Sequence, residues 1–400
     1  MSELLGTTRS TTSVEDDRHE RDRHDERREH LDVLVAGAGL SGIAAGYYLQ
    51  TTCPWARYSI FEAREDLGGT WDLFRYPGIR SDSDMHTLGY SFRPWDGHDS
   101  IADGADILQY LRDTAATYGI DRRIRFGHRV VAAEWSTADA CWHVTAERPG
   151  ADGSTEVVRL TAGFLLGCSG YYRYDHGYRP PFADIDRFEG TLVHPQAWPE
   201  DLDVAGTRIV VIGSGATAVT LVPALARTAA HVTMLQRSPT YLVNVPRRSS
   251  FTGLVQRTLP RSTAARALRW LYAVRLQGLW VVARQRPAIV RWFMLAGVRL
   301  ELPDADIARD FTPRYDPWAQ RLGVAADGDL FEAIRGGTAE VVTDRIDRFT
   351  PPASASNPDA SSTPTSSSPQ RGSSCSSWAA RSCGWTASRS SPAATSPTRA

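Results

Sequence analysis

The sequence predicts an α/β protein built from two doubly wound parallel-sheet units, with a helical insertion in the second and disordered termini. Three observations carry this. A short apolar strand, Leu31–Ala36, runs into Gly37-Ala38-Gly39-Leu40-Ser41-Gly42 and then an apolar helix reaching about Gln50. A second apolar strand, Arg208–Ile212, runs into Gly213-Ser214-Gly215-Ala216-Thr217-Ala218 and another helix. The two ends of the chain have compositions that cannot bury a core. Strand, glycine turn and helix in that order form the dinucleotide fingerprint, whose glycines let a pyrophosphate approach the backbone at the helix N-terminus. Alanine at its third position, as at Ala218, is a common variant. The expected fold is therefore α/β with two Rossmann-like dinucleotide-binding domains.

Composition bounds the rest. Four hundred residues with 42% apolar content suffice for two or three cores, and a net charge of −1 gives no whole-chain attraction to nucleic acid. The five cysteines form no C-x-x-C pair, so neither a zinc site nor a disulfide framework is expected. No secretory signal pattern opens the chain, which reads as cytoplasmic. The charge-free runs Val33–Ala56 and Ile209–Ala226 each hold a glycine turn, as a buried strand–turn–helix does, so they do not predict membrane spans.

In chain order, every residue from Glu15 to His30 is acidic, Arg or His, and residues 1–30 read as a solvated tail. His19, His24 and His30 could bind a metal weakly, but the solvated tail is preferred and no metal site is expected. In the first unit, strand Tyr58–Phe61 ends at Glu62, where a carboxylate would hold a ribose diol. Ala105–Tyr118 reads as an amphipathic helix. Arg123–Trp135, Ala140–Glu147 and Thr155–Leu160 read as a strand meander, and Gly163–Gly170 as an apolar strand leaving the unit. Cys168 reads as a buried small residue rather than a reactive thiol. In the second unit, strand His231–Leu235 ends in Gln236-Arg237-Ser238-Pro239. An arginine there suits a 2′-phosphate, so NADPH is favoured over NADH. Phe251–Leu302 is helical by pattern; its Arg266–Arg286 stretch could form a basic face touching lipid, though covering an active site is the preferred role. Gly328–Arg335 reads as a short helix and Ala339–Thr343 as a strand.

Four stretches add chemistry: Gly68-Gly69-Thr70-Trp71; Arg75-Tyr76-Pro77-Gly78-Ile79-Arg80-Ser81-Asp82; Phe188-Glu189-Gly190-Thr191-Leu192-Val193-His194-Pro195-Gln196-Ala197-Trp198-Pro199; and Asp310–Leu322. The third fills every specified position of F-x-G-x-x-x-H-x-x-x-W-P. Over residues 31–350 the chain resembles the type I Baeyer–Villiger flavin monooxygenases, most nearly their ethionamide-activating type. The related nitrogen- and sulfur-oxygenating monooxygenases carry Tyr and a basic residue where this chain has Trp198-Pro199.

The resemblance implies FAD in the first unit, held by Gly37, Gly39, Ser41, Gly42 and Glu62, with Gly69, Thr70, Trp71, Arg80, Ser81 and Asp82 along the flavin and Val130 meeting the adenine. It implies NADPH in the second, held by Gly213, Ser214, Gly215, Thr217, Ala218, Arg237 and Ser238. It puts the active-site arginine at Arg321, oriented by Asp82; Gln320 stands where the family often has Lys. Phe188, Gly190, His194, Trp198 and Pro199 are its linker fingerprint, where His194 and Trp198 couple nucleotide binding to domain movement; a purely structural His194 is an equal alternative. The implied reaction inserts one oxygen atom from O₂ into a ketone to give an ester or lactone, or oxygenates sulfides or thioamides. Alternatives are a nitrogen- or sulfur-oxygenating monooxygenase and a non-catalytic remnant.

The expected organisation is an FAD-binding domain over 31–170, an NADPH-binding domain over 171–350 with its insertion at about 251–310, and a Ser/Pro/Ala-rich tail over 351–400. That tail has no Leu, Ile, Val, Phe, Tyr or Met and reads as disordered. The chain also has no lysine. Together these suggest a reading frame that slips near residue 350, so that the family's C-terminal part is lost.

Overall fold

The structure is a computed structural model that describes residues 29–320 and 322–349, and the backbone of 380–385. It divides into two compact units, Met1–Asp72 with Leu108–Tyr171 and Leu73–Ile107 with Tyr172–Ala400. Residues 73–107 thus pack with the second unit, not with the contiguous first domain expected from the sequence. The cause is local: Leu73, Phe74 and Tyr76 are buried in the same core as Ile209, Val211 and Leu221.

The first unit is built on a six-stranded sheet. Its strands are β1 (Glu29–Ala36), β2 (Tyr58–Phe61), β3 (Ile124–Arg125), β4 (Arg129–Ser136), β5 (Cys141–Pro149) and β6 (Thr155–Gly167). Their spatial order is β3-β2-β1-β6-β5-β4. The first four positions are parallel and β6-β5-β4 antiparallel. Leu34, Val35 and Ile60 are fully buried, as the near-continuous apolar runs of central parallel strands require.

Three expectations change here. β1 begins at Glu29, inside the tail read as solvated. Parallel pairing with β6 extends to Glu29 opposite Leu160, and Arg125 Nη1 donates to Glu29 Oε2 at 2.7 Å. His30 Nδ1 lies 2.9 Å from Thr161 Oγ1, while His19 and His24 fall outside the described residues. Arg123–Trp135 is two strands, broken at a turn where Gly127 N–H bonds the Arg64 carbonyl. Thr155–Leu160 and Gly163–Gly167 are one strand: β6 pairs antiparallel with β5 along one edge and parallel with β1 along the other.

The second unit has a five-stranded parallel sheet. Its strands are β7 (Thr191–Val193), β8 (Arg208–Ile212), β9 (His231–Gln236), β12 (Ala339–Thr343) and β13 (Ala380–Trp385), ordered β12-β9-β8-β13-β7. A separate parallel pair joins β10 (Tyr241–Val245) to β11 (Leu322–Ala326). β13 lies within the tail read as wholly disordered, and this corrects that expectation at six residues. A composition without Leu, Ile, Val, Phe, Tyr or Met leaves too little apolar surface for a core of its own. It does not prevent the backbone from adding to edges that β7 and β8 leave open. The insertion is three helices, Ser250–Thr258, Arg261–Gln285 and Pro287–Glu301. Pro260 separates the first two and Pro287 opens the third, where its missing N–H costs nothing.

Candidate functional site

The two glycine turns have the same geometry. Gly37 has φ +109 and Gly213 φ +133, a region open to glycine. Gly37 N–H bonds the Phe61 carbonyl at 2.7 Å, and Gly213 N–H bonds the Leu235 carbonyl at 2.8 Å. Gly39 and Gly215 then cap their helices in extended backbone, at φ −77 and −80. A Cβ on Gly37 would sit 2.5 Å from the Cys168 carbonyl oxygen, so the turn is packed to the limit of a bare backbone. Both turns therefore leave helix N-terminal N–H groups for an anionic ligand. Ser41 is exposed on the helix start, whereas Gly42 is buried against Gly37 and Ala218 is buried in the core. Neighbouring Cys168 is partly buried, which pushes its thiol pKa up. Among the described residues no group of three His, Cys, Asp or Glu could hold a metal ion.

The residues after the second strand of each unit differ in charge. Glu62 is buried, and its Oε2 accepts from Ala38 N–H at 2.7 Å while its Oε1 accepts from Arg64 N–H at 3.0 Å. Each oxygen keeps a further lone pair, so the carboxylate is fixed beside the turn yet able to accept from a ribose hydroxyl. In the second unit the equivalent position is Gln236, which is turned away: its Nε2 donates to the Asp310 carbonyl and to Thr343 Oγ1. Arg237 is exposed at the strand end, and Ser238 beside it is half-buried. Ser214 spends its hydroxyl on Ser238 O and Thr240 Oγ1, and its side chain serves the turn itself. One unit thus presents a carboxylate and the other a guanidinium.

The Gly68–Trp71 stretch lies along the first turn. Gly68 N–H bonds the Ala38 carbonyl at 3.0 Å, and a Cβ on Gly39 would meet Gly69 Cα at 3.6 Å. Thr70 and Trp71 open a short helix whose Asp72 is held by Arg64 at 2.5 Å. Val130 is half-buried in β4 opposite Ala146, beside a bulge that disturbs pairing there.

The next stretch divides. Tyr76 is buried with its hydroxyl held by Thr220 and Thr217, and burial pushes its pKa up. Arg80 pairs with Asp329 at 2.6 Å, and the Ser81 hydroxyl accepts from Ala102 N–H at 3.2 Å. The side chains of Arg80 and Ser81, expected along the flavin, are thus committed within the second unit. Asp82 is exposed and lines a cavity of about 370 Å³ with Asn244, Tyr272, Arg275, Trp318 and Leu322. Trp318 and Leu322 flank Arg321 in the chain; Arg321 itself lies outside the described residues. Asn244, Tyr272, Arg275 and Asp329 carry no motif spacing, so the sequence offered no signal for them.

The fingerprint is more buried than a linker would be. Gly190 precedes β7, and Val193, His194 and Pro195 are buried. His194 Nδ1 accepts from Gln196 N–H at 3.1 Å, capping the turn Pro195–Ala197. Burial first, then the Arg179 charge, hold the His194 imidazole below its usual pKa. Phe188 meets the Phe349 ring edge-on at 5.7 Å, Trp198 packs on the sheet core, and Pro199 is exposed.

The profile of the flavin-binding monooxygenase-like family matches residues 31–253, which spans the first turn, the fingerprint and the second turn. The chain belongs to this family. The flavin-binding monooxygenase-like chain is 53% identical over 324 residues to the FAD-containing monooxygenase EthA of Mycobacterium tuberculosis, covering 80% of this chain and 65% of that protein. It is 44% identical over 323 residues to the probable FAD-binding monooxygenase AlmA of Acinetobacter baylyi, with 80% and 64% covered. The chain thus spans about 65% of the length of these curated relatives. Among solved structures, an open cyclohexanone monooxygenase gives a TM-score of 0.63 at 25% identity over 81% of this chain and 69% of the other. An oxidized steroid monooxygenase bound to NADP gives 0.63 at 24%, with 81% and 68% covered, which shows the shared fold.

Proposed function

We propose that this chain is an FAD- and NADPH-dependent monooxygenase that inserts one oxygen atom from O₂ beside a ketone carbonyl, giving an ester or lactone. The observation that carries this reading is the pair of like-built turns with opposite charges after them, Glu62 and Arg237, together with the cavity that Asp82, Trp318 and Leu322 line. FAD would be held at Gly37–Gly42 and Glu62, with Gly69, Thr70 and Trp71 along it. NADPH would be held at Gly213–Ala218, with Arg237 on its 2′-phosphate. When bound, the two cofactors supply the reducing equivalents and the activation of O₂.

The protein supplies position and charge. Glu62 accepts from ribose hydroxyls without moving, since its own turn already holds it. Arg321 stays protonated at any working pH, so it can stand opposite negative charge that develops on a reacting oxygen without losing its own proton. Asp82 would orient that guanidinium, leaving it the role of a positioning residue. Trp318 and Leu322 give the cavity beside Asp82 part of its apolar wall. Within the fingerprint, His194 and Trp198 would couple nucleotide binding to domain movement.

Anaerobic reduction by NADPH of the flavin carried by the purified chain tests the cofactor assignment, and product analysis on paired ketone and sulfide substrates tests the chemistry. Ester or lactone formation is the expected result. Sulfoxide alone would favour the sulfur-oxygenating reading, and a chain that holds no flavin would leave the non-catalytic one. Replacing Arg321 by Ala should lower oxygenation by about 10²–10³-fold while leaving flavin reduction intact; equal loss of both would remove Arg321 from this role.

A further inference from the structure

The helical insertion exposes a run of large apolar side chains. On the helix Pro287–Glu301, Val290, Met294 and Val298 face inward and are buried. The opposite stripe is also apolar: Ile289, Trp292, Phe293 and Leu300 are 49%, 62%, 63% and 86% exposed. Their spacing of three, four and seven residues puts them on one face. A surface helix that is apolar on both sides needs a second apolar environment. The preceding helix adds Trp270 and Val274, exposed by 72% and 62%.

Charge selects the environment. From Val204 to Leu300 there is no Asp or Glu, and Ser249–Leu300 contains nine arginines. Arg257, Arg261, Arg284, Arg286 and Arg299 are exposed. The whole chain has net charge −1, so this is a segregated positive field and not a general excess. Arginine interleaved with Trp, Phe and Leu on an exposed face matches the water–lipid boundary of an anionic bilayer, where guanidinium groups meet headgroup phosphates and aromatic rings sit below them. Among the described residues no helix is long and apolar enough to cross a membrane.

We propose that the insertion, Ser250–Glu301, docks peripherally on an anionic lipid surface through the Ile289–Leu300 stripe and its flanking arginines. The docking stands on this surface alone and does not depend on the chemistry proposed above.

Co-sedimentation of the purified full chain with phosphatidylcholine vesicles, with and without 30% phosphatidylglycerol, tests the proposal. Binding should be at least tenfold stronger to the anionic vesicles and fall with added salt. The double substitution Arg284→Gln with Arg286→Gln should weaken it by about fivefold or more per charge. Trp292→Ser with Phe293→Ser should abolish it, and hydrogen exchange in residues 287–301 should slow on anionic vesicles alone. Equal binding to both vesicle types would overturn the anionic selection. No binding, with 287–301 instead protected in a self-associated form on gel filtration, would assign the stripe to a second copy and overturn the lipid reading.

Discussion

At the scale of single residues, two kinds of group do the work: charges left facing solvent and imidazoles forced out of it. Arg237 belongs to the first. Arg237→Gln should raise the KM for NADPH by about 10–100-fold, the worth of a charged hydrogen bond, while leaving the KM for NADH nearly unchanged. Steady-state kinetics with both nucleotides check this, and parallel changes would take Arg237 off the 2′-phosphate. His86 and His194 belong to the second. Both are buried, and burial is the first cause lowering each pKa. A folded-state pKa below the ordinary value of about 6.5 means the unfolded chain binds more protons near that pH. Stability from these groups is therefore whole above about pH 6.5 and lost as pH falls through that value toward the folded pKa. Urea unfolding at pH 7.5 and 5.5 should show the loss, and His86→Asn should reduce the difference between the two. An unchanged pH difference in the variant would show that His86 titrates normally.

At the scale of elements, the segment Arg75–Asp82 shows how a loop is fixed by what it crosses. Gly78 has φ +78, and a Cβ there would lie 2.6 Å from the Thr220 carbonyl oxygen and 2.7 Å from Ala224 Cβ. Gly78→Ala combines a strained backbone with an overlap against the helix Ala216–Leu225, and should destabilise by about 1–3 kcal/mol. A shift in urea midpoint without a change in slope would report this, and a neutral variant would mean the segment moves freely off the helix. The glycine was legible as part of a motif. Its partner was not, because Thr220 is 142 positions away and only packing brings the two together.

At the scale of the molecule, two units each carry their own turn, and the turns share dihedrals and hydrogen bonds. Their ligands should then be separable. Gly37→Ala forces a Cβ against the Cys168 carbonyl and should strip flavin from the purified chain while NADP binding persists; Gly213→Ala should do the reverse. Flavin absorbance and calorimetric titration with NADP⁺ read the two independently. Loss of both ligands from either variant would show that the units do not fold apart.

The glycine turns, strands β8 and β12 and the helix Ala216–Leu225 follow from local pattern alone, because strand and helix periodicity and a positive-φ glycine are properties of neighbouring residues. The charges at Glu62 and Arg237 were legible for the same reason: each stands at the end of its own strand. Other features belong to the tertiary structure. Residues 73–107 join the second unit because Leu73, Phe74 and Tyr76 find their apolar partners there. Arg80 is drawn to Asp329, 249 positions away, because a guanidinium that buried needs a carboxylate. Ala380–Trp385 adds to β7 and β8 through backbone groups that carry no side-chain signature. Local chemistry is written in neighbouring residues, whereas the choice of partner depends on burial and on which backbone edges the rest of the fold leaves open.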